Sequence, residues 1–137
     1  MAGSVGRWEL FSSEGFDEYM KAIGVSHDNI EKAKSVLSAG SKLVQDLSNN
    51  GSSWTIKTIT SAGEKEVTFT LGEEFSTATL DGRPVKVVVT EEGSSLVEIQ
   101  KGDGFETKNV RTASGDEMVM TMTGSGVTCT RKYKKIG

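Results

Sequence analysis

An all-β sandwich or barrel of about ten short strands, broken near its start by two consecutive helices, is the fold class predicted by this chain of 137 residues. Three observations predict it. From Lys42 to the C-terminus, apolar and polar residues alternate with period two in short runs. The runs are separated by tight-turn residues, and the composition of 16 Gly and one Pro suits that pattern. A helical period occurs only between Phe16 and Leu37.

Residues 5 to 11 form the first expected strand, with Trp8 and Leu10 on one parity and Arg7 and Glu9 on the other. Ser12-Ser13-Glu14-Gly15 is expected to break it. Phe16, Tyr19, Met20 and Ile23 then fall at i, i+3, i+4 and i+7, the stripe of a short amphipathic helix that Gly24 is placed to end. Asp17 and Glu18 in its first turn suit the macrodipole. A second helix is expected to start at Asp28, with Glu31 completing a capping box, and to bury Ile30, Ala33 and Leu37. Ser38-Ala39-Gly40-Ser41 ends it.

The remaining strands are expected as follows. Lys42 to Ser48 closes at Asn49-Asn50-Gly51, and Trp54 to Thr60 follows. Lys65 to Leu71 directs Val67, Phe69 and Leu71 inward and stops at Gly72. Phe75 to Leu80 turns at Asp81-Gly82, Val85 to Thr90 at Glu92-Gly93, and Leu96 to Gln100 at Gly102-Asp103-Gly104. Phe105 to Arg111, Met118 to Thr123 and Val127 to Lys134 complete the set. One domain spanning 1–137 accommodates all of it.

Composition narrows the function. A net charge of −3 and a pI of about 5.2 argue against a nucleic-acid partner held by counterion release. A single Cys excludes an intramolecular disulfide, no run approaches the ~18 apolar residues of a membrane span, and the N-terminus lacks signal-peptide regions. A reducing, cytoplasmic setting is expected. One His and one Cys, far apart in sequence, leave little for a metal site or a Cys-His nucleophile. Metal and cofactor are therefore both expected to be absent, and an enzyme would need unusual means.

The informative anomaly is polar residues on inward parities. In the last strand Arg131 and Tyr133 share a face with Val127 and Cys129, opposite Thr128, Thr130, Lys132 and Lys134. A buried guanidinium needs a partner, and a carboxylate is its natural complement. In Phe105 to Arg111, the set Phe105, Thr107, Asn109 and Arg111 opposes Glu106, Lys108 and Val110, and either set could face inward. Glu98 and Gln100 share one face of the preceding strand; Met118, Met120 and Met122 share one face of the following strand. A solid core tolerates such a set poorly, whereas a cavity holding water and an amphiphile accommodates it. The pattern demands no protein carboxylate for the arginines, and a second cation makes an internal partner less sufficient.

Several pieces resemble one family along the whole chain. Gly6-x-Trp8-x-Leu10 is followed by Gly15-Phe16-Asp17-x-Tyr19-Met20-x-x-Ile23. Leu71-Gly72-Glu73-Glu74-Phe75, Leu80-Asp81-Gly82-Arg83, Leu96-Val97 through Gln100-Lys101, and Gly126-Val127-Thr128 through Thr130-Arg131-x-Tyr133 complete the match. Together they look like the intracellular lipid-binding proteins of the calycin superfamily, that is, the fatty acid-binding and cellular retinoid-binding proteins. The resemblance implies a ten-stranded antiparallel up-and-down β-barrel, or clam, with a helix-turn-helix lid between strands 1 and 2. It also implies a ligand carboxylate held at the positions of Arg111, Arg131 and Tyr133.

By the same resemblance Thr58, Thr60 and Arg83 belong to the cavity lining or portal, with Gln100 as a water-mediated contact. Asn109 belongs to the inward polar set, Tyr19 and Met20 to helix packing and lining, and Met120 and Met122 to a flexible wall for the ligand tail. Lys21, Lys32 and Lys34 form a solvated face that could meet anionic membranes. Two departures stand out. The segment from the second helix to Gly51 is longer than usual and lacks a Lys-Pro, and Ala62 stands where many members carry a portal phenylalanine. The expected function is a monomeric, non-enzymatic carrier of long-chain fatty acids. The alternatives are a retinoid carrier and, from another class, a lipid-modifying isomerase or hydrolase.

Overall fold

A computed structural model of the chain describes residues 5–38, 40, 42–61, 63–79 and 82–137. Strand β1 (Gly6–Glu14) leads into helices α1 (Phe16–Ala22) and α2 (His27–Leu37). Nine strands follow: β2 (Val44–Asn50), β3 (Ser53–Thr60), β4 (Gly63–Thr70), β5 (Phe75–Ala78), β6 (Pro84–Glu92), β7 (Ser95–Gly102), β8 (Phe105–Ser114), β9 (Glu117–Gly124) and β10 (Val127–Lys135). They make one 10-stranded antiparallel sheet in the order β4-β3-β2-β1-β10-β9-β8-β7-β6-β5. Each strand therefore pairs with its sequence neighbour, except that β1 and β10 close on each other and β4 and β5 do not pair. This is the up-and-down clam with a two-helix lid.

The open seam between β4 and β5 is bridged by side chains. Phe69 and Phe75 stack with ring centroids 5.4 Å apart, and the Lys65 ammonium donates to the Ala78 carbonyl. The connection between the two strands is anchored by Gly72 N–H donating to the Val89 carbonyl at 2.8 Å.

Two clusters fill the interior. Trp8, Leu47, Trp54, Val87, Leu96 and Met118 belong to the barrel's own core, and Tyr19, Met20, Ile23, Ile30 and Cys129 pack beneath the lid. Gly124 lets α1 seat on β9, since a Cβ there would lie 2.6 Å from Ile23 Cγ2. Gly15, at φ +77°, turns the chain from β1 into α1, and its own Cβ would lie 2.7 Å from the Thr128 carbonyl oxygen. A β-carbon at that site would meet both a left-handed backbone and a rigid strand.

Local signals misplaced several boundaries, including those of β1, α2 and β2. β1 does not break at Ser12: it continues to Glu14 along β10 after a bulge, where the register jumps between Leu10↔Tyr133 and Ser12↔Lys132. The extra residue, Phe11, points out and is 49% exposed. A bulge shifts the facing of every residue beyond it, so Ser13 turns inward, opposite Arg131. The cap of α2 is Ser26, not Asp28, because the Ser26 Oγ accepts from Asn29 N at 3.3 Å and helical geometry begins at His27. β2 runs through Asn49 and Asn50, which pair with Trp54 and Ser53 and leave Gly51-Ser52 as the turn. Leu80, the expected end of the fifth strand, the expected turn residue Asp81, and Ala62 lie outside the described residues. Among the described residues no helix is long and apolar enough to cross a membrane.

Candidate functional site

The alternation of β8 is resolved by burial: Thr107, Asn109 and Arg111 are buried, and Glu106 and Lys108 are exposed. Pairing then assembles the polar wall. Arg111 on β8 and Arg131 on β10 both face Met120 on β9, so the two arginines flank one methionine in a row across three strands. At strand spacing their backbones stand about 10 Å apart. Tyr133 lies two residues beyond Arg131 on the same face, and its hydroxyl makes a weak contact with Met120 Sδ at 3.9 Å.

These side chains border an internal cavity of about 520 Å³ under the lid. Arg111, Arg131 and Tyr133 all line it, as do Tyr19, Met20, Thr58 and Thr60. Gln100, Asn109, Met120 and Met122 line it as well. Its apolar wall includes Phe16, Ile56, Val67, Phe69, Phe75 and Val89. The Asn109 Oδ1 is buried with no hydrogen-bond partner among the described residues, an acceptor turned toward this polar wall.

Arg83 is placed elsewhere. It is absent from the lining; its Nη1 donates to the Ile23 carbonyl at 2.7 Å and its guanidinium lies 4.1 Å from the Phe105 ring centroid. It therefore pins the C-terminus of α1 to the barrel, where a cation also complements the helix dipole. Of the lid lysines only Lys32 reaches the cavity mouth. Lys34 joins the two helices through Asp17 at 3.1 Å, with Glu31 at 3.9 Å, and Lys21 is exposed.

The two arginines differ in their partners. Arg131 Nη1 donates to Ser13 Oγ at 3.1 Å, its Nη2 to the Leu37 carbonyl, and its guanidinium lies 4.3 Å from the Phe16 ring centroid. Its partners are thus neutral and tie the lid to the barrel. Arg111 donates from Nε to Gln45 Oε1 at 3.2 Å and from Nη1 to Glu98 Oε1 at 3.0 Å. Glu98 also accepts from Gln100 Nε2. The sequence pattern demands no protein carboxylate for the arginines, yet Arg111 has one in Glu98. The reason is the diagonal across paired strands: Leu96 stands opposite Arg111, which brings Glu98, two residues along the same face, within reach of the guanidinium.

Gln45, Glu98, Lys65 and Ser13 are the polar residues that sequence reasoning left unassigned. Parity held a signal for three of them. Gln45 alternates with Leu43 and Leu47, Lys65 with Val67 and Phe69, and Glu98 with Gln100. Ser13 carried none, since only the bulge turns it inward. Burial pushes the Lys65 ammonium down from its ordinary range, against the attraction of Glu98. Burial likewise pushes the Tyr19 phenol up. The Cys129 thiol, fully buried beneath the lid, is also pushed up by burial, with Arg131 opposing.

A model of the lipocalin / cytosolic fatty-acid binding protein family matches residues 5–136, from the start of β1 past the end of β10. This chain belongs to that family. Among solved members of this lipid-binding fold, a Schistosoma mansoni fatty acid binding protein in complex with arachidonic acid is 33% identical. That match covers 100% of this chain and 98% of that one, with a TM-score of 0.92. Echinococcus granulosus fatty-acid-binding protein 1 is 27% identical over 100% of both chains, with a TM-score of 0.92. Human cRBP IV is 29% identical, covering 99% of this chain and 100% of that one, with a TM-score of 0.83. The segment after α2 returns to the core at Leu43, whose carbonyl accepts from Leu10 N at 2.9 Å.

Proposed function

We propose that this member of the fatty-acid binding family is a non-enzymatic, monomeric carrier of long-chain fatty acids in the cytoplasm. The ligand's carboxylate sits at the polar wall to which Arg131, Tyr133 and Arg111 belong. The observation that carries the proposal is the pairing of those groups with a largely apolar enclosure of about 520 Å³. That volume is within the about 300–1,000 Å³ typical of small-molecule sites. Each methylene of a fatty chain buried there contributes about 0.8 kcal/mol, and the guanidinium and phenol orient the carboxylate end. The described lining residues include no Ser, Cys or His, so the lining offers none of the usual nucleophile-base pairs for an isomerase or hydrolase. Likeness to human cRBP IV favours a retinoid as the second reading, since retinoic acid presents the same carboxylate to the same wall.

Native mass spectrometry of freshly purified protein, followed by extraction and identification of the bound molecule, tests the proposal. A long-chain fatty acid in a one-chain complex is the expected result; a retinoid would select the second reading, and a chemically altered lipid accumulating on incubation would indicate turnover.

Ligand delivery is proposed to involve contact of the lid with anionic membranes through Lys21 and Lys32, both exposed. Lys34, also a candidate, is already engaged by Asp17 and Glu31. Replacing Lys21 and Lys32 with glutamine is expected to slow transfer of a fluorescent fatty acid to anionic vesicles several-fold, with little effect on zwitterionic ones. Equal rates to anionic vesicles would dismiss the contact.

A further inference from the structure

Head-group chemistry in this cavity depends on charge balance, and Glu98 alters that balance. Among the described residues, the charged ones lining the cavity are Lys32, Glu64, Lys65, Glu98, Arg111 and Arg131. Lys32 lies at the mouth, and Glu64 turns to Lys57 at 3.0 Å on the surface. The inner wall is left with Arg111, Arg131 and Glu98, with Lys65 on β4 lining the same cavity and bonded to the Ala78 carbonyl. The Arg111 and Glu98 side chains are only 6% and 14% exposed, so their ion pair is shielded from water and from salt. Both Glu98 oxygens are engaged, one by Arg111 and the other by Gln100. Arg131 has no acidic partner among the described residues.

We propose that Glu98 is the specificity-determining residue of the cavity. It serves as the built-in counterion of Arg111 and leaves Arg131, with Tyr133, as the direct anchor for a ligand carboxylate. The proposal rests on the carrier reading and refines it. A carboxylate approaching Arg111 meets another carboxylate already in place, and like charges at contact distance in a low-dielectric wall repel strongly. A hydroxyl or amide head group meets no such repulsion and can donate to Glu98. The wild-type cavity therefore discriminates less between a fatty acid and the fatty alcohol of the same length than two available arginines would.

The test is the ratio of affinities for palmitic acid and hexadecanol, measured by titration of wild type and Glu98→Gln. Glutamine keeps the length and the acceptor toward Arg111 while removing the charge. The ratio is expected to rise about tenfold or more in the acid's favour, as fits a charge-assisted contact newly available at Arg111. An unchanged or falling ratio overturns the role of Glu98. Should the variant not fold, a crystal structure of wild type with palmitate decides. The expected complex keeps the Arg111–Glu98 pair and places the carboxylate on Arg131; a carboxylate on Arg111 in place of Glu98 overturns the proposal. If wild type takes up neither acid nor alcohol, the carrier reading itself fails. If it binds the acid and the ratio ignores Glu98, only this refinement fails.

Discussion

Replacing Arg131 with alanine is expected to weaken binding of a long-chain fatty acid about 10- to 150-fold, while the methyl ester of the same acid loses several-fold at most. The magnitude follows from hydrogen bonds to charged groups, worth about 1.5–3 kcal/mol, at about 1.4 kcal/mol per factor of ten. Two effects contribute, and the ester separates them. Arg131 also holds Ser13, the Leu37 carbonyl and the Phe16 ring, so its loss loosens the end of α2 against the barrel. That loosening affects acid and ester alike. Only the acid loses its charge partner. Tyr133→Phe removes one hydroxyl and leaves the ring in place, so it should show the same selectivity with a smaller loss. Equal losses for acid and ester, in isothermal titration or fluorescent displacement, would reject the head-group role of Arg131.

Trp8→Ala is expected to produce the largest loss of stability without touching the ligand site. Trp8 is fully buried in the barrel core and does not line the cavity. Truncating a buried tryptophan costs about 3–5 kcal/mol, through lost transfer energy and the void left behind. For a chain of this size that corresponds to a fall in Tm of about 10–20 °C. Calorimetry on ligand-free protein checks it. A drop of only a degree or two would show that the site collapses without penalty. The protein that remains folded should bind the same fatty acid with an affinity close to that of wild type, in contrast to Arg131→Ala, where affinity fails first.

Both residues are legible in the sequence. Trp8 and Leu10 alternate with charged neighbours, so strand and burial were both readable from a few adjacent positions. The same is true of Arg131 and Tyr133 beside Cys129. Helix α1 was readable from its i, i+3, i+4, i+7 stripe. At the end of β1 and at Arg83 the deciding contact comes from far away in sequence. β1 was ended at Ser12 because serines read as a break, whereas hydrogen bonding to β10 carries the strand on to Glu14. Family position puts Arg83 on the cavity lining or portal; it is absent from the lining, and the Ile23 carbonyl, 60 residues earlier, accepts from it. Asp28 begins a capping-box pattern, but the Ser26 Oγ accepts from Asn29 N and caps α2 instead.

By itself, the sequence determined the number and order of strands, the place of the two-helix insertion, the family resemblance, and the parity that sends Arg131 and Tyr133 inward. Those follow from periodicity and turn chemistry, which act over a few residues. Tertiary structure alone decided which charges meet. The bulge at Phe11 brought Ser13 to Arg131, 118 residues along the chain. The pairing of β7 with β8 brought Glu98 to Arg111, and the curl of the barrel brought Gln45 to it from β2. Parity names the face on which a side chain lies; strand register and barrel closure determine what it finds there, because both are set by the fit of the whole sheet.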